Sequence, residues 1–268
     1  MTPFAPLHAA ISRTNAEGGF SSEDPWFHEL RVDDSDGSID VEYRGEYELW
    51  FRDRTKLPIL EQLLRALASR EIAPALRSFT YRTDAVKAAN GTYDYNIDAL
   101  VYGDHTFPNL TRVSLDQGEG EHGYKILSSP AVGDDWSEAG ALARLLQRAP
   151  RLDELATPAQ PNLSFFNGPD HPLRRLDVDA GFDRARFIDQ LAASSRFGQL
   201  RSLVFTDFRQ SYLDDWRERT TSFASYAAFF ASPLASQLDS ICLRAVQLSE
   251  DEVRQLRAIR SDGVEITR

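Results

Sequence analysis

Carboxylates, an imidazole and aromatic rings gather in a few short stretches of this chain, and any chemistry would have to sit there. The segment Asp116-Gln117-Gly118-Glu119-Gly120-Glu121-His122-Gly123-Tyr124 combines hard oxygen ligands with one histidine and flexible glycines. Together with Asp134 and Asp135 it offers the residue types of a metal-assisted hydrolase built on Asp116, Glu119, His122, Asp134 and Asp135. The glycines argue against this. A ligand cage needs fixed spacing, whereas a mobile acidic loop suits solvent or a partner surface. Asp33-Asp34-Ser35-Asp36-Gly37 has a calcium-loop composition, but glycine sits sixth in such loops, which would put apolar Val32 first. It reads as a turn. The triplet Asp134-Asp135-Trp136 returns as Asp214-Asp215-Trp216, each time shortly before a helical pattern. Aspartates there complement a helix dipole, and the indole can fold back onto the core. Exposed instead, Trp136, Trp216 and neighbouring Tyr212 would anchor a basic protein surface beside Asp134, Asp214 and Asp215. Cys242, the single cysteine, has no identified base partner and reads as a small side chain. No Gly-x-Ser-x-Gly, Gly-x-x-x-x-Gly-Lys, His-Glu-x-x-His or Cys-x-x-Cys string occurs. The reading assigns no catalytic residue, no metal and no cofactor.

Composition narrows the partner class. A formal net charge of -11 over 268 residues disfavours nucleic acid and anionic membrane, whose binding energy comes from clustered Lys and Arg. A protein partner is expected, and the charge favours a basic one. The apolar fraction of 42% supports a sizeable core. The lone cysteine, the absence of a basic-then-apolar start over Met1 to Thr14, and the absence of a bilayer-length apolar run give a cytoplasmic reading.

The elements that must position these residues are written as a recurring hexad. Leu76-x-x-Phe79-x-Tyr81, Leu110-x-x-Val113-x-Leu115, Leu173-x-x-Leu176-x-Val178, Leu200-x-x-Leu203-x-Phe205 and Leu238-x-x-Ile241-x-Leu243 share it, with a weaker copy at Leu152-x-x-Leu155-x-Thr157. Between copies the apolar period changes to that of helices: Leu57 to Leu67 with Thr55 as N-cap, Ser137 to Arg148, Asp183 to Ser195, Ser222 to Ala231, and Ser249 to Arg260 opening on a capping box. Strand-like hexads alternating with helices predict a stacked α/β solenoid, in which each unit hides its apolar edge against the next. Copies start at 76, 110, 152, 173, 200 and 238, so inserts are expected between strand and helix at about 84–106, 116–136 and 207–220. Upstream, residues 1 to about 25 read as a loose polar arm. Phe27-x-x-Leu30-x-Val32 is a possible further copy, and Ile39-Val41-Tyr43 with Tyr47-Leu49-Phe51 read as a capping β-hairpin. The organisation expected is arm and hairpin over 1–54 and solenoid over 55–268.

On these hexads the chain resembles divergent bacterial leucine-rich-repeat proteins, most closely over Leu110 to Arg268. The resemblance implies a parallel sheet on a concave face, helices on the convex face, and protein recognition rather than catalysis. The family's asparagine or cysteine after each strand is missing, the corresponding neighbourhoods holding Gln117, Ala180, Asp207 and Val246. Alternation would place the variable hexad positions on the concave face, among them Arg112, Arg175 and Asp177. Three functions therefore stand: a non-catalytic interaction module, an immunity or inhibitor protein neutralising a basic toxin such as a nuclease, and the metal-dependent hydrolase.

Overall fold

Hydrophobic residues on alternate positions of each hexad, with polar residues between them, leave a strand one dry face and one wet face. The computed structural model describes residues 3–24, 27–45, 59–82, 92–95, 97–115, 124–127, 140–158, 160–179, 186–207 and 220–268. Its strands are β1 (Glu29–Asp33), β2 (Ile39–Arg44), β3 (Leu76–Arg82), β4 (Thr92–Tyr95), β5 (Arg112–Leu115), β6 (Tyr124–Leu127), β7 (Glu154–Thr157), β8 (Arg175–Asp179), β9 (Ser202–Thr206), β10 (Ser240–Arg244) and β11 (Val264–Ile266). Nine of them form one open sheet in the order β1-β2-β3-β5-β7-β8-β9-β10-β11. All neighbours are parallel except β1 and β2.

All five clean hexads and the weaker one lie in this sheet, in register. Their middle positions line up as Phe79, Val113, Leu155, Leu176, Leu203 and Ile241 across consecutive strands, with Val41 before them and Val264 after. Their opening leucines, Leu76, Leu110, Leu152, Leu173, Leu200 and Leu238, are all buried. Thr157, the odd residue of the weak copy, is buried opposite Val178 as the apolar ones are. The backbone repeats as well. Thr111 O accepts from the amides of both Asp153 and Glu154, Asp153 O from Arg174 and Arg175, Arg174 O from Arg201 and Ser202, and Arg201 O from Asp239 and Ser240. Four successive strand starts are thus built alike.

The helices are α1 (Ala5–Gly18), α2 (Ile59–Leu67), α3 (Asp98–Val101), α4 (Ala141–Arg148), α5 (Leu163–Phe166), α6 (Phe187–Ala193), α7 (Phe223–Phe230), α8 (Pro233–Gln237) and α9 (Glu250–Ile259). From α1 to α7 each touches the next in chain order, and α8 and α9 pack on α7. Such a chain of neighbours, joined to the dry side of the sheet in a single apolar cluster, is one helical layer on one face. The molecule is an α/β protein with an open, mostly parallel sheet. No helix among the described residues is long and apolar enough to cross a membrane.

Several expectations are corrected. The loose N-terminal arm is largely helix α1, whose Phe4, Leu7 and Ile11 are buried. Asn15 pins it to the sheet, donating to His28 O at 2.8 Å and accepting from His28 N at 2.9 Å. The hairpin forms one strand earlier than expected: β2 pairs backwards with β1, so the Phe27 hexad is an antiparallel strand rather than a repeat. The predicted second strand, Tyr47 to Phe51, lies outside the described residues. Asp33 to Gly37 is the connecting turn, with Ser35 N donating to Asp33 and Gly37 at φ +82°. The described parts of the first two inserts are not separate loops, because β4 and β6 pair in parallel as a second, two-stranded sheet.

Candidate binding face

Each strand of the large sheet turns its remaining side chains to the face opposite the helices, and the register arranges them in rows. One row reads Asp40, Ser78, Arg112, Glu154, Arg175, Ser202, Ser240, and the next Glu42, Thr80, Ser114, Ala156, Asp177, Val204, Cys242, Glu265. Arg44 with Arg82, and Asp179 with Thr206 and Arg244, occupy the row beyond. Arg174, Arg201 and Asp153 stand at the strand starts just before them. Guanidinium and carboxylate groups nearly balance over this face. The acidic excess of the chain is carried by residues other than these.

Charges at the hairpin end are already paired. Arg77 donates to Asp36 at 2.6 Å and to both oxygens of Asp40 from Nε at 3.0 and 3.2 Å, while Ser78 Oγ donates to Asp40. The Arg77 guanidinium beside it holds the Asp40 carboxyl below the usual carboxylate range. Next to this cluster, Glu29, Arg31, Glu42, Arg44 and Arg82 line a depression of about 280 Å³. Its Arg31–Glu29 and Arg82–Glu42 pairs, at 2.9 and 3.4 Å, set opposite charges against one another.

The middle of the face differs. Arg112 and Arg175 are exposed and flank half-buried Glu154 in the same row. Neither guanidinium makes a hydrogen bond or ion pair with another described residue, although the charge of Arg112 helps to keep Asp40 ionised. Arg174 is exposed and reaches half-buried Asp153 only at 3.4 Å, and exposed Arg201 donates to the carbonyl of its own neighbour Leu200 at 2.9 Å. Beside them lies a low floor of Ser114, Ala156, Val204 and Cys242. No family model, curated protein or solved structure matches this chain.

Of the residues singled out from sequence, Arg112 and Arg175 stand in one row of the open face, on β5 and β8 to either side of β7, and Asp177 in the next row on β8. Tyr212, Trp216, Asp214, Asp215, Trp136 and Asp134 lie outside the described residues, as do Asp116, Glu119, His122 and Asp135 of the hydrolase reading. Sequence reasoning missed the contribution of β2, because Asp40 and Glu42 precede the first clean hexad; the alternation Ile39-Val41-Tyr43 was the available signal. It also missed the role of Asp207. This fully buried carboxylate ends β9, accepts from Thr221 N at 3.2 Å and from Tyr226 Oη at 2.8 Å, and so ties together the two ends of the 208–219 insert. The strands β3, β5, β8 and β9 are parallel and end on one rim, where the segments that follow them begin.

Two further polar groups on the helix side serve structure. Arg196 is buried and donates to the carbonyls of Phe165, Asn167 and Pro169, and burial pushes its pKa down. His171, also buried, is held to the Ala149 carbonyl at 3.3 Å, and its desolvation lowers its pKa below the usual histidine value.

Proposed function

We propose that this chain is a divergent leucine-rich-repeat-like solenoid that binds a protein partner through its open sheet face and its strand-to-helix segments. One observation carries the reading: a wide, in-register face of charged and hydroxyl side chains, exposed or half-buried apart from Ser78, Val204 and Thr206, lies opposite the fully packed face. Such a face suits a macromolecular ligand, which can meet many shallow contacts at once. Sequential strand order and four alike strand starts support the repeat reading.

An inhibitory role toward a basic protein draws its support from the acidic stretch 116–139. The test is affinity capture at physiological salt with wild-type chain, Arg175→Glu, Asp177→Lys and a helix-side control, Arg254→Glu. A partner retained by the control and lost by the face variants supports the assignment. A partner that binds all four equally removes the face from the interaction.

A further inference from the structure

Arg112 and Arg175 project from strands β5 and β8 with only Glu154 of β7 between them in the row, so their backbone positions stand roughly 10 Å apart. A guanidinium group on an acidic protein ordinarily finds a carboxylate, and this chain has more acids than bases. Their guanidinium groups have no hydrogen bond or ion pair with a described residue, Arg112 acting on Asp40 through its charge alone. The carboxylates nearest to them, Asp153, Glu154 and Asp177, are half-buried, while Arg112, Arg174, Arg175 and Arg201 are exposed. The outermost layer of this strip is therefore cationic although the whole molecule is not. Its neighbours Ser114 and Ala156 are short enough to let a polypeptide backbone approach the sheet.

We propose that this strip is the anchor for an acidic polypeptide segment, laid across the strands so that its carboxylates take bidentate hydrogen bonds from Arg112 and Arg175. The spacing suits a segment in the polyproline-II conformation, in which residues three apart lie on one side about 9 Å from one another. The inference rests on the open face being the binding surface, and it assigns the partner a chemistry that net charge alone would not. Steering from afar is set by the summed charge, but contact is set by the groups within a Debye length of about 8–10 Å.

The experiment is fluorescence anisotropy of labelled oligo-glutamate, oligo-lysine and oligo-thymidylate with wild type, Arg112→Ser/Arg175→Ser, Glu154→Gln/Asp177→Asn and the helix-side control Arg254→Ser. Oligo-glutamate should bind wild type and the control, weaken on raising salt from about 0.05 to about 0.3 M, and lose roughly tenfold or more in affinity in the double arginine variant. Glutamate binding that survives that variant overturns the anchor. Oligo-lysine binding that is lost in Glu154→Gln/Asp177→Asn, with no glutamate binding, overturns the acidic chemistry while leaving the face as the contact surface. Tighter binding of oligo-thymidylate through the same arginines overturns the choice of a polypeptide. Binding of none of the probes overturns the proposal, and the capture experiment above then decides separately on the face.

Discussion

At the residue scale, three polar groups make the fold sensitive in ways that can be measured. Tyr226→Phe removes the hydroxyl that donates to Asp207, leaving a buried carboxylate short of a hydrogen bond. The expected cost is about 1–3 kcal/mol, read from the urea midpoint of unfolding. His171 works through its proton. Its folded pKa lies below the ordinary histidine value of 6.5, so the native state prefers the neutral ring, and the stability this gives is present above pH 6.5 and lost as pH falls through the folded value. His171→Leu should therefore flatten the fall in stability on acidification below pH 6.5; an unchanged slope would show that His171 titrates alike in both states. Arg77 joins the hairpin turn to the sheet through Asp36 and Asp40, and its partner Asp40 is likewise held charged. That contribution is present above the ordinary aspartate value of 3.8 and disappears as pH drops below it.

At the element scale, local sequence signals and tertiary contacts divide the work. Helix α9 starts on a reciprocal capping box, Ser249 accepting from Glu252 N while the Glu252 carboxylate accepts from Ser249 N at 2.8 Å. Ser249→Ala should cost about 1 kcal/mol in thermal or urea unfolding, a loss that Asn at the same position would largely restore. The hexad strands, by contrast, depend on neighbours. Leu203 sits in the middle of the sheet with Leu176 and Ile241 on either side, fully buried. Leu203→Ala should cost about 2–5 kcal/mol, much more than the cap, because the cavity it leaves is walled by strands that cannot collapse into it. The hexads and the helix stripes were legible because both report burial through period, 2 for strands and about 3.6 for helices. Helix α1 was not. Its buried residues, Phe4, Leu7 and Ile11, are sparse, and the rest of its surface is as polar as a linker. The short strand β11 was missed for a related reason: Val264 and Ile266 carry no pattern long enough to read. What places β11 is Gly263, at φ +69°, where a side chain would collide with the Asp239 carbonyl.

At the scale of the whole molecule, stability should be transmitted between neighbouring strands and fade with distance along the sheet. Leu203→Val combined with Ile241→Val, on adjacent strands, should show a coupling energy of about 0.5 kcal/mol or more in a double-mutant cycle. Val113→Ala combined with Ile241→Val, on strands separated by β7, β8 and β9, should be additive within roughly 0.3–0.5 kcal/mol. Comparable coupling in both pairs would show that the sheet does not behave as a linear array. Composition and hexad spacing determined, by themselves, that this chain builds a stacked α/β sheet and which side chains are dry, since period alone tells an apolar residue which face it must take. Only the tertiary structure decided which strands are neighbours, that the first pair is antiparallel, that two inserts join in a second sheet, and that Arg112 and Arg175 stand with Glu154 between them. Those facts concern residues far apart in the chain, and no local period encodes the distance between them.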